Sequence, residues 1–121
     1  MKILVVDDDM DVLMATGFYL YSVEKMQVTK AHGGREGLKA YEMRGPFDIV
    51  LTDYSMPDMD GIALSFAIRK LNPTQEIVIN TQSHTLAGCM KDYGLADVRV
   101  VNKQDGIEAI VKLLRVVVGE L

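Results

Sequence analysis

The first eleven residues, MKILVVDDDMD, decide how the rest of the chain is interpreted. Residues 3–6 form a short, continuous apolar run, which is typical of a strand buried on both faces of a parallel sheet. Four aspartates follow within five residues, at positions 7, 8, 9 and 11. Functional sites in open α/β sheets lie beyond the carboxyl ends of the strands. A buried strand that runs into carboxylates therefore predicts a polar site at its end.

The alternation of apolar runs with helix-period segments continues along the whole chain. Four more strands are predicted, at residues 26–29, 48–52, 77–79 and 98–101. Gly45-Pro46 and Asn72-Pro73 mark the ends of the second and third helices. Five strands alternating with five helices favour a doubly wound α/β domain, in which helices cover both faces of a parallel sheet. The pattern alone leaves the strand order open.

The helix-period segments also predict which side chains face the core. In the first helix the predicted apolar face consists of Val12, Thr16, Tyr19, Leu20 and Val23. The clearest stripe, in the fifth helix, consists of Ile107, Ile110, Val111, Leu114, Val117 and Val118. A second apolar side of that helix, at Ala109, Leu113 and Val116, indicates either internal packing or a dimer or partner surface. Cys89, on the fourth helix, is expected to be buried.

Composition limits the class of protein. The chain has 121 residues, 49% of them apolar, which predicts a single globular domain over residues 1–121. A net charge of −4, from 17 acidic and 13 basic residues, argues against a nucleic-acid surface. The single cysteine excludes an intrachain disulfide and a cysteine-rich zinc site. Neither a membrane span nor a signal peptide is evident, so we expect a cytoplasmic protein without membrane contacts.

Polar side chains of complementary chemistry follow four of the predicted strands. Asp7 and Asp8 follow the first strand, Asp53 the third, Thr81 the fourth and Lys103 the fifth. If the first and third strands are neighbours, their carboxylates converge, and two of them about 5 Å apart repel by roughly 3 kcal/mol at an effective dielectric of ~20. A hard divalent cation relieves such repulsion, and Mg²⁺ is the ion that we predict. With a hydroxyl and an ammonium facing the same crevice, the set predicts a phosphoryl-transfer site.

These motifs resemble a known family. The sequence ILVVDDD at residues 3–9, DIVLTD at 48–53, MPDMDG at 56–61, and the later Thr81 and Lys103 strongly resemble the receiver domain of two-component response regulators. The chain is similar in particular to stand-alone, chemotaxis-type receivers. The resemblance covers essentially the whole chain, with the motifs in the right order and spacing. It implies a flavodoxin-like strand order of 2-1-3-4-5, which places the acid-bearing strands side by side.

The resemblance also implies a role for each acidic residue. Asp53 would accept a phosphoryl group from the phosphohistidine of a histidine kinase, giving an aspartyl phosphate. Asp8 would bind Mg²⁺ directly, with Asp7 assisting through water, and the backbone carbonyl of Ser55 would supply another ligand. Mn²⁺ is a possible substitute for the magnesium ion. The domain would catalyse its own phosphorylation and slow autodephosphorylation, and would not turn over a separate substrate as an enzyme does.

Signal output is implied in the same way. Thr81 would hydrogen-bond the phosphoryl group and shift toward it, while Lys103 would pair with a phosphoryl oxygen. The expected partners are a sensor histidine kinase or phosphotransfer protein and a downstream effector protein or domain. A homodimer through the fourth helix, fifth strand and fifth helix is a further expectation.

The chain departs from the family pattern near Lys103. Gln104 follows the lysine where the family usually has proline, often after a cis bond, so we expect a trans bond and a differently shaped loop. Val100 stands where an aromatic switch residue is usual. Gln82 stands after Thr81 where a small residue is common, which predicts partial screening of the site. None of these departures removes a group that the phosphorylation chemistry needs.

Two other classes of function stay open on the sequence. A haloacid-dehalogenase-like phosphatase also uses a strand-end aspartate with Mg²⁺, and Asp9-x-Asp11 superficially resembles its first motif. Such enzymes place an acidic pair after the late lysine, where this chain has only Asp105 and Glu108 close by. A phosphorylation-independent interaction module is the other hypothesis, motivated by the departures near the lysine.

Overall fold

The computed structural model describes residues 1–117 and Gly119, in which strands and helices alternate. The strands are β1 (Lys2–Asp7), β2 (Gln27–His32), β3 (Ile49–Asp53), β4 (Ile77–Thr81) and β5 (Arg99–Asn102). The helices are α1 (Met10–Ser22), α2 (Gly34–Arg44), α3 (Gly61–Leu71), α4 (Leu86–Cys89) and α5 (Gly106–Val117). Short 3-10 turns follow α4 at Met90–Tyr93 and β5 at Lys103–Asp105. Within this part of the chain, no helix is both long and apolar enough to cross a membrane.

The five strands pair in parallel in the order β2-β1-β3-β4-β5, which confirms the predicted doubly wound, flavodoxin-like fold. β1 and β3 are neighbours at the centre of the sheet, with Val6 opposite Thr52. Asp7 and Asp53, the next residue of each strand, therefore stand side by side at the carboxyl edge. β4 lies between β3 and β5, so a side chain from β5 must cross β4 to reach β3.

Each face of the sheet packs against its own hydrophobic core. Successive strand residues point to opposite faces. Leu4 and Val6 enter the core beneath α2, α3 and α4, whereas Ile3 and Val5 enter the core beneath α1 and α5. Because all four side chains are buried, the continuous apolar run of β1 correctly predicted a central strand.

The structure corrects the predicted face of α1. The helix buries Leu13, Gly17 and Leu20, whereas Val12 and Val23 of the predicted face are 40% and 55% exposed. The sequence of α1 is apolar on nearly every side, so the periodicity of its apolar residues does not select one face. The structure selects the face that carries Gly17, because this residue lets the helix lie close to β2.

Side-chain caps fix where two helices begin. The carboxylate of Asp9 accepts hydrogen bonds from the backbone N–H groups of Asp11 and Val12, at 3.0 and 3.2 Å, and so starts α1. The carboxylate of Asp60 accepts from the N–H of Ala63 at 2.8 Å and starts α3. Each cap lies directly beyond the carboxyl edge of the sheet.

The fourth and fifth helices differ in regularity. α4 is four residues long and continues as a 3-10 turn that ends at Gly94, in the left-handed region at φ 73°. Cys89 is exposed on this short element, which corrects the expected burial. α5 buries the predicted stripe most deeply at Ile110, Val111 and Leu114. Val118 of that stripe lies outside the described residues.

Candidate functional site

Three carboxylates converge at the carboxyl edge of the sheet. Asp7 and Asp53 end β1 and β3 and are buried, and Asp8 follows Asp7 in a half-buried position. One oxygen from each carboxylate lies within 4.8 Å of the others. At that separation two unit charges repel by about 3.5 kcal/mol at an effective dielectric of 20. The predicted neighbours therefore come together and form a strongly electronegative cluster.

Asp7 shows the electrostatic cost of this cluster. Burial raises the pKa of its carboxyl group, and the nearby charges of Asp53 and Asp8 raise it further. The N–H of Asp9 opposes this, since it donates to Asp7 Oδ1 at 2.9 Å, and the Lys103 ammonium also lowers the pKa. The net effect is a raised pKa, so the ionised form of Asp7 is destabilised and favours a compensating cation.

Lys103 supplies one positive charge to the cluster. Its Nζ lies 2.8 Å from Asp53 Oδ1, with 27% of the lysine side chain and 6% of the aspartate side chain exposed. The 3-10 turn that carries Lys103 is held by Asn102, whose side-chain oxygen accepts from the N–H of Gln104 at 2.9 Å. Among the described residues the cis peptide bond is Gly45-Pro46, so the bond before Gln104 is trans, as predicted.

A polar cavity of about 460 Å³ opens above these groups. Its lining residues are Asp8, Asp9, Asp53, Tyr54, Ser55, Thr81, Gln82, Ser83 and Lys103. Thr81 is buried, and its Oγ1 accepts from the N–H of Ser83 at 3.0 Å, which leaves the hydroxyl hydrogen free to donate into the cavity. Gln82 lines the wall of this cavity and is exposed, a position from which its side chain can partly screen the cavity from solvent, as expected. The structure thus gathers every predicted site residue at one place, with Asp7 at the base.

Oxygen donors dominate this cavity. Hard divalent cations such as Mg²⁺ prefer carboxylate and carbonyl oxygens and keep some bound water. The three carboxylates fit such an ion by donor type and by spacing, and when ionised they carry three negative charges against the single positive charge of Lys103. The residues present could therefore hold one divalent cation.

Asp58 is a positioning residue that the sequence interpretation missed. Its carboxylate oxygens accept hydrogen bonds from the N–H groups of Gly34 at 3.2 Å and Arg35 at 3.0 Å, at the start of α2. The bond from Arg35 has the largest effect and lowers the pKa of Asp58. This contact ties the loop after Asp53 to the body of the domain. Gly33 lies just before α2 with φ 102°, a conformation that favours glycine. The glycine at this position was therefore the sequence signal for an unusual start of α2.

A larger cavity, of about 950 Å³, lies at the opposite end of the sheet. It gathers the cationic side chains of Lys2, Lys25 and Arg44. The Lys2 ammonium already donates to the backbone carbonyl of Arg44, and the Lys25 ammonium donates to that of Ser22 at 2.7 Å. Both lysines are occupied by local structure, so size alone does not make this cavity the functional site.

A doubly wound sheet with its polar site at the central switch point is typical of open α/β domains that bind ligands beyond the carboxyl ends of their strands. Residues 3–115 match the family model described as the response regulator receiver domain. The Brucella abortus response regulator receiver protein CpdR is 30% identical over 119 residues, which are 93% of this chain and 96% of CpdR. The chain therefore belongs to the receiver domain family of the response regulators of two-component signalling.

Other relatives differ in how much of their length is matched. The Escherichia coli K12 transcriptional regulatory protein GlrR is 38% identical over 79 residues, which are 65% of this chain but only 17% of GlrR. The solved structure of the Vibrio cholerae chemotaxis protein CheY4 superposes with a TM-score of 0.83 at 23% identity, covering 96% of this chain and 97% of that one. This last similarity supports the fold.

Proposed function

We propose that Asp53 accepts a phosphoryl group in a Mg²⁺-dependent phosphorelay and that the resulting aspartyl phosphate switches a partner-binding surface. The observation that carries this proposal is the convergence of Asp7, Asp8 and Asp53 with Thr81 and Lys103 around one polar cavity. A carboxylate nucleophile, a cation, a hydroxyl donor and a divalent-ion site are the parts that phosphoryl transfer requires.

The chemistry follows from the positions of these groups. A carboxylate oxygen of Asp53 attacks the phosphorus of a phosphohistidine, and the bond between phosphorus and the imidazole nitrogen breaks. The nitrogen keeps the electron pair and takes up a proton, while Asp53 becomes an acyl phosphate. The Lys103 ammonium stabilises the negative charge of the phosphoryl oxygens, and the Thr81 hydroxyl donates to one of them. Hydrolysis by water later returns the carboxylate and inorganic phosphate.

The proposed metal ligands are the carboxylates of Asp8 and Asp53 and the backbone carbonyl of Ser55, with Asp7 acting through water. When bound, Mg²⁺ would neutralise charge on the transferring phosphoryl group. Mn²⁺ has similar oxygen preferences and is the proposed substitute. Because Asp7 is buried beneath the cavity, its role is to add negative charge to the site and to orient the ion's water.

An exposed apolar stripe on α1 supports a protein as the phosphodonor. Met10, Met14, Phe18 and Tyr21 recur at helical spacing and are 48, 49, 71 and 67% exposed. The stripe begins one residue after Asp9, which lines the cavity. A helical surface of a sensor histidine kinase or phosphotransfer protein could therefore pack on α1 and present its phosphohistidine to Asp53.

We assign output to the surface of α4, β5 and α5, toward an effector protein or domain or a second copy of this chain. Val116 of α5 is 46% exposed there, whereas Ala109 and Leu113 pack half-buried against the core. Val100 of β5 is half-buried against the core beneath α2, α3 and α4. As a valine it has no aromatic ring whose position could change when Thr81 shifts. The single-domain boundary at residues 1–121 and the cytoplasmic location stay predictions.

The experiment that tests the proposal is an intact-mass measurement after incubation with Mg²⁺ and acetyl phosphate. We expect one phosphoryl adduct on the wild type, none on Asp53→Asn and an unchanged adduct on Asp92→Asn, which removes an exposed carboxylate that does not line the cavity. The same solution is assayed for released phosphate with a phosphate ester as substrate. Multiple turnovers would support the phosphatase hypothesis instead, and no adduct with any donor would support a phosphorylation-independent interaction module.

The phosphatase hypothesis already has a geometric difficulty. Asp9 and Asp11, which superficially resemble a phosphatase motif, do not join the carboxylate cluster. Asp9 is engaged in capping α1, and Asp11 is exposed in the first turn of that helix. Both residues therefore have a structural explanation at the start of α1, and the proposed receiver site uses only Asp7, Asp8 and Asp53.

A further inference from the structure

Asn80 lies in β4, beside Asp53 of β3 and between that residue and β5, the strand that leads into Lys103. The strand register places Asn80 opposite Asp53 on one side and opposite Val101 on the other. Because side chains alternate along a strand, Asn80 shares a face with Val78, which lies in the α1 and α5 core. Leu51, two residues before Asp53, lies in the same core. Asn80 and Asp53 are therefore neighbours on one face of the sheet.

The Lys103 side chain has to cross this position. Neighbouring strands lie about 4.8 Å apart, so β3 and β5 are separated by about 10 Å with β4 between them. The Lys103 ammonium nevertheless reaches Asp53 Oδ1 at 2.8 Å. It can do so only by extending over the end of β4, where Asn80 and Thr81 lie. Thr81 lines the cavity together with the lysine, whereas Asn80 does not line it and shares a face of the sheet with Asp53, which leaves Asn80 as the strand residue beneath the lysine.

The amide of Asn80 is poorly satisfied. Its Oδ1 is buried and accepts no hydrogen bond, and it is the one buried side-chain nitrogen or oxygen atom in this condition within the described part of the chain. A buried acceptor without a donor is costly and calls for an explanation. On the same face, Asp7 and Asp53 offer acceptors only. The Lys103 ammonium is a donor with three hydrogens, and Asp53 uses one of them in the ion pair.

We propose that Asn80 is a positioning residue that provides a second acceptor for the Lys103 ammonium. In the unmodified protein, the Asp53 carboxylate binds the ammonium, and Asn80 Oδ1 accepts no hydrogen bond. Conversion of Asp53 to an acyl phosphate replaces the carboxylate oxygen that holds the ammonium by a phosphoryl oxygen, and the ammonium is then shared between that oxygen and Asn80. The phosphorylation event rests on the proposed function, but the contact between Lys103 and Asn80 requires only that the Asp53 carboxylate no longer hold the ammonium.

The test removes the Asp53 carboxylate by mutation. Asp53→Ala, Asn80→Leu and the double variant are compared with the wild type by urea unfolding in a chelating buffer. In the wild type, Asn80→Leu should leave the ratio of folded to unfolded protein unchanged or increase it, since it removes an unsatisfied acceptor. In the Asp53→Ala background the same substitution should be at least about tenfold less favourable, because a hydrogen bond to a charged group is lost.

Two controls make the result specific. Adding Lys103→Met to all four proteins should abolish the difference between backgrounds, and Asn80→Val replaces Asn80→Leu if the larger side chain prevents folding. The ammonium resonance of Lys103, observed by nitrogen-15 NMR and assigned by its loss in Lys103→Met, should differ between Asp53→Ala and the double variant. A purely structural role for Asn80 would not move that resonance.

The proposal is overturned if Asn80→Leu has the same effect, within threefold, with and without Asp53, or if the difference survives in Lys103→Met. These outcomes do not depend on phosphorylation. Failure of the wild type to form a phosphoryl adduct would reject the proposed function, whereas equal effects of Asn80→Leu in both backgrounds would reject only the role of Asn80.

Discussion

Replacing Asp7 by asparagine should stabilise the metal-free protein. The substitution removes one of three carboxylates whose oxygens lie within 4.8 Å of one another, while the new amide keeps an oxygen to accept from the N–H of Asp9. Its NH₂ group can donate to Asp8 or Asp53, where the ionised carboxylate only repelled. Removal of a charge from this buried carboxylate cluster is therefore expected to increase stability.

The magnitude follows from the spacing of the charges. Each carboxylate neighbour repels Asp7 by about 3.5 kcal/mol at an effective dielectric of 20, and attraction to Lys103 offsets a large part of the sum. We expect Asp7→Asn to raise the free energy of unfolding by about 2 kcal/mol at pH 7. For a domain of this size the corresponding rise in Tm is about 8 °C.

The pH dependence has a definite sign. The pKa of Asp7 is raised in the folded state above its ordinary value of 3.8, so the folded protein binds this proton more tightly than the unfolded chain. The contribution of Asp7 to stability is therefore fully present below pH 3.8 and is lost as the pH rises through the folded-state pKa. The advantage of Asp7→Asn should be greatest above that pKa and should shrink on acidification.

The assay is urea unfolding followed by circular dichroism, in a chelating buffer, at a series of pH values. Asp92→Asn serves as the matched control, because it makes the same change of net charge at an exposed position outside the cluster. Mg²⁺ at 100 times its Kd should stabilise the wild type by about 2.7 kcal/mol and the variant by less. If Asp7→Asn is no more stable than the wild type at pH 7 while the control is unchanged, repulsion within the cluster does not destabilise the folded protein.

Three further changes test other parts of the account. Lys103→Met leaves the buried Asp53 carboxylate unpaired and should lower the free energy of unfolding by about 3 kcal/mol in urea unfolding without metal. Mg²⁺ should recover much of this loss. An equal loss with and without Mg²⁺ would argue against a site in which the ion and Lys103 both contact Asp53. Asp58→Ala removes an acceptor for three backbone N–H groups, those of Gly34, Arg35 and Met59, and should cost about 1 kcal/mol by the same measurement. Because the folded-state pKa of Asp58 is lowered, its contribution is present above its ordinary pKa of 3.8 and is lost as the pH falls through the lowered value, so the cost should vanish in acid. Phe18→Ser should change stability by less than about 0.5 kcal/mol and leave the rate of phosphorylation by acetyl phosphate unchanged, but it should slow phosphoryl transfer from the cognate kinase. If the variant and the wild type accept the phosphoryl group from the kinase at the same rate, docking on α1 is excluded.

The parts of the fold that were predictable are those for which one physical signal dominates. The apolar run of β1 could only be buried, and strand ends define the polar edge of a parallel sheet, so Asp7 and Asp53 were identified before their geometry was known. The stripe of α5 was equally clear, because Ile110, Val111 and Leu114 recur at helical spacing, whereas Glu108, Lys112 and Arg115 lie together on another side of the helix. In each case the local pattern and the tertiary packing favour the same arrangement.

The errors occurred where the local pattern was ambiguous. α1 is apolar on most sides, so the choice of Leu13 and Gly17 for the core depended on the neighbouring strand β2. Cys89 was expected in a regular helix, but α4 is too short to bury it. The position of Asn80 beneath the ion pair depends on the register of three strands, which a sequence without strand pairing does not provide.

The central claim is that Asp53 becomes the aspartyl phosphate, and borohydride trapping tests it most directly. The protein is incubated with Mg²⁺ and acetyl phosphate, the acyl phosphate is reduced to the alcohol, and the modified peptide is sequenced by mass spectrometry. We predict homoserine at position 53 in the presence of both Mg²⁺ and the donor, and an unmodified residue when either is omitted. Homoserine at another aspartate, or none at position 53 in the complete mixture, would contradict the assignment.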